Sequence, residues 1–369
     1  MGSFAKGAVL SARAAAVNAT AVRPGFALDT PRLVPWLEEN VPGFAGPLTI
    51  EQFSGTRSSP TFLLTTPGKL YVLRCKPDRS LLCRAHAIER EVRVMRVLSE
   101  AGFPVPHVYA LCTQANVVGS YFYIMDYAEG RIFSDGGLPN VSRDQRRAYQ
   151  EAMAETLGRL HSYEPAALGL ADYDSPDLTI EHQLARWTWQ YVEDDSAPRV
   201  ADIDFLADWL PDHLPVEQSV RVVHGDYRID NIVFHPDQPR VVAVLNWECS
   251  TLGEPMADLA RNLMMYRLPA VHPGGLADRN IESLGIPNEI DYLAAYRRCA
   301  DLRKQSDLDF YLVYNFFRMA TIFHGIKCQL IRGNVASSRS DFLIAPLEEL
   351  ARRGRELAER LQTGQTDLK

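Results

Sequence analysis

His224-Gly225-Asp226-Tyr227-Arg228-Ile229-Asp230-Asn231, followed one strand-turn-strand later by Val244-Leu245-Asn246-Trp247-Glu248, is the stretch from which the fold is read. Asp226 sits where a loop aspartate can accept the proton of an attacking hydroxyl, and Asn231, five positions on, can offer a carbonyl oxygen to magnesium. That pair of side chains at that spacing points to phosphoryl transfer. His224 reads as a brace of the loop rather than a proton carrier. The next strand in such chemistry normally ends in a carboxylate that holds the metal bridging the ATP phosphates, yet this chain carries Asn246 there. An amide offers one neutral oxygen, so the metal should bind more weakly, and Glu248 two residues on is the remaining acid. Three explanations follow: an engineered substitution that traps a substrate complex, a natural enzyme that manages with Glu248 and Asn231, or a degenerate kinase that binds without transferring. The intact motifs around Asn246 argue against drift and favour the first.

Working outward, 369 residues are too many for one small core and suit two unequal lobes with a cleft between them. With 46% hydrophobic and 23% charged residues the chain can bury a sizeable core. Its 39 basic against 46 acidic residues, a formal charge of -7, disfavour general attraction to nucleic acid. A local basic patch could still meet an anionic small molecule. The six cysteines are scattered without a C-x-x-C pair, which suggests neither zinc nor a disulfide framework and fits a reduced, cytoplasmic compartment. No apolar run reaches membrane-span length, so no membrane partner is expected. Residues 1–28 lack acids and carry Lys6, Arg13 and Arg23; they read as a frayed terminal arm in preference to an organelle presequence.

The periodicity divides the rest. Thr30 looks like an N-cap ahead of Pro31, opening a short helix. Strands are predicted at 48–53, 61–65 and 71–76, a helix at 85–99, and further strands at 107–112 and 121–127. This makes a five-stranded N-lobe over 29–127. From Gly130 the pattern turns helical, at 145–162, 180–193, 200–212, 256–267, 289–302, 308–331 and 341–361, which makes a C-lobe over 128–369 interrupted by the hairpin around Asp226 and Asn246. The fold class is α+β, a sheet-rich small lobe joined to a helix-rich large one.

The loop from His224 to Asn231, Val244 to Glu248, Gly253-Glu254-Pro255 and Asp258-Leu259-Ala260 together resemble the aminoglycoside phosphotransferase and choline kinase superfamily, over almost the whole chain after residue 22. Val22-Arg23-Pro24-Gly25, Phe53-Ser54-Gly55, Tyr71-Val72-Leu73-Arg74, Tyr123 to Tyr127 and Ser250-Thr251-Leu252-Gly253 are similar to the kinase domains associated with acyl-CoA dehydrogenases. The resemblance implies a bilobal, protein-kinase-like fold, ATP and Mg2+ as cofactors, and a hydroxyacyl-CoA acceptor, notably 4-hydroxyacyl-CoA, in acid catabolism. It implies Asp226 as base, Asn231, Asn246 and Glu248 around the metal, and Arg74 as the third-strand cation oriented by Glu91, with Lys76 as an alternative on the same face. Ser54 and Gly55 belong to a small-residue loop whose N–H groups can approach phosphates, although an ordinary hairpin turn reads equally well. Met125, Asp126 and Tyr127 form the expected hinge against adenine. Asp258 reads as a brace or helix cap.

An acyl-CoA acceptor calls for basic side chains, and Arg228, Arg261, Arg318, His324, Lys327, Arg332 and Arg339 are candidates, each weighed against a solvated helix face. The aromatic residues Trp187, Trp189, Tyr191, Tyr266, Tyr314, Phe316 and Phe317 are expected to be mainly core. Two rivals keep parts of the same machinery. An aminoglycoside, macrolide or amino-alcohol kinase would need an acidic acceptor pocket, and a nucleotide-binding pseudokinase scaffold would carry Asn246 as its native mark.

Overall fold

Leu70–Cys75 is a strand whose residues are all buried, which requires a covered sheet with neighbours on both edges. In the computed structural model, which describes residues 19–54, 59–76, 88–173, 179–216, 219–272, 274–300, 308–333 and 344–364, this strand is β4 of a six-stranded antiparallel sheet ordered β1-β2-β3-β4-β6-β5. The other members are β1 (Ala19–Thr20), β2 (Thr49–Phe53), β3 (Thr61–Thr65), β5 (Val108–Cys112) and β6 (Phe122–Asp126). The sheet has one strand more than the five predicted, because Ala19 and Thr20 of the terminal arm pair with Phe53 and Gln52, and the Gln52 side chain accepts from the Arg23 backbone. The arm is therefore part of the sheet from residue 19, and Lys6 and Arg13 lie outside the described residues.

Strand alternation sorts β4 onto two faces. Tyr71, Leu73 and Cys75 join Phe62, Leu64, Phe122 and Ile124 in a core shared with Leu33 and Leu37 of α1 (Thr30–Asn40). The cap of α1 is Asp29, whose carboxylate accepts from Arg32 N–H, so the predicted cap at Thr30 shifts by one residue. The opposite face carries Val72 and Arg74. It meets α2 (Ile88–Glu100), which buries Glu91 along with Ile88, Val92, Met95 and Leu98; residues 85–87 lie outside the described residues.

The chain divides into two compact units, the first running to Ile132 and also taking in Asn231–Ser250. Those later residues belong there because β9 (Ile232–Phe234) pairs with both β10 (Val241–Val244) and β7 (Arg131–Ile132). A Cβ on Gly130 would stand 2.2 Å from Phe234 O, so glycine permits that approach. Trp247 is buried edge-on to Phe103 with ring centroids 5.9 Å apart, and its Nε1 donates to Val244 O. The boundary expected after residue 127 thus falls later, and the hairpin that carries the metal candidates travels with the nucleotide candidates.

The second unit holds α3 (Arg143–Ser162), α4 (Ile180–Glu193), α5 (Ala201–Trp209), α6 (Pro255–Leu263), α7 (Ile281–Leu284), α8 (Glu289–Arg297), α9 (Leu308–Ile331) and α10 (Leu347–Gln362). A short ladder of β8 (Arg221–Val223) with β11 (Thr251–Gly253) completes it. Every residue of α9 from Leu308 to Phe317 is buried, and α4, α5, α6 and α10 pack around it. The predicted helices over 200–212 and 256–267 end early because each tightens into a 3-10 turn, at Leu210–His213 and Met264–Tyr266. Trp189 is 62% exposed and is not core, unlike Trp187 two residues earlier and about half a turn around the helix. Among the described residues Cys75, Cys112, Cys299 and Cys328 carry thiols outside any disulfide, whereas Cys249 is disulfide-bonded, a single bridge in a chain whose scattered cysteines suggested no disulfide framework. No helix among the described residues is long and apolar enough to cross a membrane.

Candidate active site

In the first unit the candidate residues collect on Arg74. Its guanidinium, 4% exposed, lies 3.4 Å from Glu91 through Nε, donates to Glu248 Oε2 at 2.9 Å through Nη2, and donates to Asn246 Oδ1 at 2.7 Å through Nη1. Burial alone would lower its pKa, but Glu91, Tyr123 and Glu248 outweigh that and hold the guanidinium above its usual range. Burial pushes the Glu91 carboxyl up, while Arg74 and the Tyr123 hydroxyl pull it back. Tyr123 was not singled out among the site residues. Its signal was register, since Arg74 and Tyr123 are direct cross-strand partners on β4 and β6 and so share a face.

Asn246 has left-handed backbone angles, φ 62 and ψ 59, which asparagine tolerates better than most residues. Its Nδ2 donates to Asn231 Oδ1 at 2.5 Å. The orientation of the amides follows from chemistry: arginine only donates, so Asn246 must turn its oxygen to Arg74 and its nitrogen to Asn231, which then accepts. A divalent cation needs hard oxygen atoms converging on one point. Here the oxygens of Asn246 and Asn231 face hydrogen-bond donors and Glu248 lies on Arg74, so this arrangement does not fit the ion. Among the described residues no group of three His, Cys, Asp or Glu side chains could hold a metal either.

The remaining nucleotide candidates lie apart from this cluster. Lys76 stands over the Tyr121 ring, 5.5 Å from its centroid, so Arg74 and not Lys76 is the cation that meets Glu91. Met125 is buried in β6 opposite Val72 and Val108. The Asp126 N–H donates to His107 O within the sheet, and its carboxylate takes the Tyr109 hydroxyl and pairs with Lys69. That N–H is therefore committed to β-structure and does not face outward as an adenine donor would. Tyr127 packs against Leu63 and Leu70. Ser54 closes β2 in a turn, and Gly55 lies outside the described residues.

In the second unit the loop around Asp226 is built on one face of α6. Asp258, Arg261 and Asn262 recur at i, i+3 and i+4. Asp258 accepts from the backbone N–H groups of His224 at 2.7 Å and Gly225 at 3.0 Å, and Asn262 donates to Tyr227 O at 3.1 Å. Behind them His161 Nε2 lies 3.3 Å from Asp258 with Tyr296 on its other nitrogen, and Tyr292 donates to Asn262. Burial pushes Asp258 up, yet His161 and His224 draw it below the usual carboxylate range. His224 is fully buried, and its Nδ1 accepts from Asp226 N–H. Gly225 supplies the positive φ of 78 that the turn requires. His161, Tyr292 and Tyr296 were not found from sequence, because only the packing of α3 and α8 brings them to this loop, whereas Asn262 could have been found from its i+4 spacing to Asp258 on α6.

Asp226 itself faces arginine. Arg261 Nη2 lies 3.1 Å and Arg228 Nε 3.5 Å from its Oδ1, and Arg228 also pairs with Asp230 at 3.1 Å. Burial would raise the Asp226 pKa, but Arg261, Arg228, His224 and Arg318 together hold it below the usual range. Burial, with Arg318 and Arg228 nearby, pulls the Arg261 guanidinium down to about 10. Arg318 also stands over the Trp187 ring at 5.7 Å. The other acceptor candidates separate from this group. His324 is fully buried, with Nε2 on Pro198 O and its ring edge-on to Tyr191, so it is a core histidine. At about 3.6 residues per turn, Lys327 falls about half a turn around α9 from Arg318. Arg332 pairs with Asp194, and Arg339 lies outside the described residues.

A model of the phosphotransferase enzyme family matches residues 49–302, well over half of the chain. The chain belongs to this family. It is 38% identical to acyl-CoA dehydrogenase family member 10 of Mus musculus over 313 residues, 83% of this chain and 29% of that protein. It is 36% identical to acyl-CoA dehydrogenase family member 11 of Homo sapiens over 346 residues, 92% of this chain and 44% of that protein. The chain thus spans less than half the length of these relatives. A Ralstonia eutropha protein with the provisional assignment of aminoglycoside phosphotransferase has a solved structure that is 39% identical, covering 90% of this chain and 99% of its own, with a TM-score of 0.82. The fold alone is shared with choline kinase from Cryptosporidium parvum, 12% identical over 91% of this chain and 97% of its own with a TM-score of 0.61. It is likewise shared with an aminoglycoside phosphotransferase solved with ADP and hygromycin B, 17% identical over 88% and 98% with a TM-score of 0.56. The mixed sheet and helix architecture is therefore protein-kinase-like.

Proposed function

We propose that this phosphotransferase moves the γ-phosphate of ATP to a hydroxyl of a hydroxyacyl-CoA thioester, 4-hydroxyacyl-CoA in particular. The observation that carries the choice of acceptor is that two guanidiniums meet Asp226, Arg261 at 3.1 Å and Arg228 at 3.5 Å, with Arg318 adding positive charge to the same side chain's surroundings. A cationic amino sugar or amino alcohol calls for the opposite sign, whereas CoA brings phosphates. The names of the relatives lean the same way, since both are named as acyl-CoA dehydrogenase family members. ATP as donor is supported by the family and by the neighbour solved with ADP. Magnesium is the usual companion of ATP in such a reaction.

In this reading Asp226, kept ionised by its arginines, accepts the proton of the acceptor hydroxyl. A bond forms from that oxygen to the γ-phosphorus, the bond from phosphorus to the β,γ-bridging oxygen breaks, and ADP leaves. Charge neutralisation supplies most of the rate enhancement. The phosphorylated hydroxyl becomes a good leaving group, which suits a later elimination in acid catabolism.

The test is mass-spectrometric detection of phosphorylated product from Mg-ATP with 4-hydroxyacyl-CoA, kanamycin or choline as acceptor, using this chain and its Asn246→Asp form. Product from the CoA thioester in either form is expected; product only from the amines would overturn the assignment. Arg261→Gln should lower kcat/KM for the CoA acceptor by about tenfold or more. The same substitution removes the largest charge that depresses the Asp226 pKa, so the acidic limb of the pH profile should move to higher pH, a shift read directly from kcat/KM against pH.

A further inference from the structure

We infer that the Asn246 carboxamide takes over, within this chain, the structural role of a divalent cation, so that nucleotide binding depends little on metal. This rests on reading the Arg74 cluster as the nucleotide half of the phosphotransferase.

The first argument is charge. With a carboxylate at position 246, Arg74 would face Glu91, Glu248 and residue 246, three negative charges against one positive, a net of two that one divalent ion matches. With Asn246 the count is two against one, and half of that demand is gone. The second argument is hydrogen bonding. A carboxylate at 246 could only accept, so Asn231 would either turn its Nδ2 to it or keep its oxygen there with a cation between the two acceptors. Asn246 replaces that acceptor with the Nδ2 donor, 2.5 Å from Asn231 Oδ1, while its own oxygen satisfies Arg74 at 2.7 Å. Arg74 Nη1, Asn246 and Asn231 thereby form a continuous relay of two hydrogen bonds. To recruit Asn231 as a ligand, a cation must first break the bond from Asn246. The left-handed backbone at 246 accepts asparagine, aspartate or glycine, so the side chain can be changed without changing the turn.

The experiment is calorimetric titration with AMP-PNP, in EDTA and in excess Mg2+, of this chain, Asn246→Asp and Asn246→Gly, with the thermal midpoint of each form measured alongside. This chain should bind AMP-PNP with affinities within about threefold of each other in the two buffers, and Asn246→Asp should gain a metal dependence of about tenfold or more. Asn246→Gly, which releases Asn231 without adding charge, should fall between them, and it decides the question if the aspartate form does not fold. The same metal dependence in this chain and in the folded variants overturns the inference and leaves the phosphotransferase reading standing. AMP-PNP binding to none of the three, in either buffer, overturns both.

Discussion

Asp226→Asn is expected to lower kcat by about 10²–10⁴-fold, the range a positioned general base contributes. The amide matches the carboxylate in shape but cannot take the proton of the acceptor hydroxyl, and it leaves Arg261 and Arg228 facing a neutral group. The loop should keep its form, because Asp258 and Asn262 hold its backbone. AMP-PNP affinity and the thermal midpoint should therefore stay close to those of the parent while single-turnover phosphoryl transfer collapses. A kcat close to the parent value would take Asp226 out of the base role.

Arg74→Met should be among the most destabilising single changes in the first unit, by about 3–5 kcal/mol, because it leaves Glu91 buried without its counter-charge. Burial already pushes the Glu91 carboxyl up, and without Arg74 nothing comparable pulls it back. An acid whose folded pKa is raised is penalised only where the unfolded chain is ionised. The stability lost should thus be smaller near about pH 5 and larger near about pH 8. Chemical denaturation at both pH values measures this. Arg74→Met with Glu91→Leu should recover much of the loss, since an apolar pair costs less than a lone buried charge. A single variant as stable as the parent at both pH values would mean that the pair contributes little.

Local pattern carried far in this chain. The strand over 61–65 and the helices over 180–193 and 308–331 agree residue for residue with the structure, because β-branched and aromatic alternation and long apolar helical repeats act over a few turns. The loop from His224 to Asn231 was legible for the same reason: its chemistry is written in adjacent letters. The pairing of Arg74 with Glu91 came from the family resemblance, which implies a third-strand cation and a partner on the helix that follows. The sixth strand was not legible, since two residues, Ala19 and Thr20, carry no period and gain strand geometry only by pairing with β2. Nor was the fate of the basic residues on α9, where Arg318, His324 and Lys327 look alike in sequence and differ only in what each face packs against.

By itself the sequence determined the α+β class, the loop aspartate and the asparagine where a carboxylate was expected, because each depends on residues near one another in the chain. Tertiary structure alone decided that Asn246 bridges Arg74 and Asn231, that Arg261 and Arg228 close on Asp226, and that His324 is buried away from them. Those outcomes depend on which donors and charges meet across long separations in the chain. Only packing sets such distances, and at hydrogen-bond range they decide both protonation and orientation.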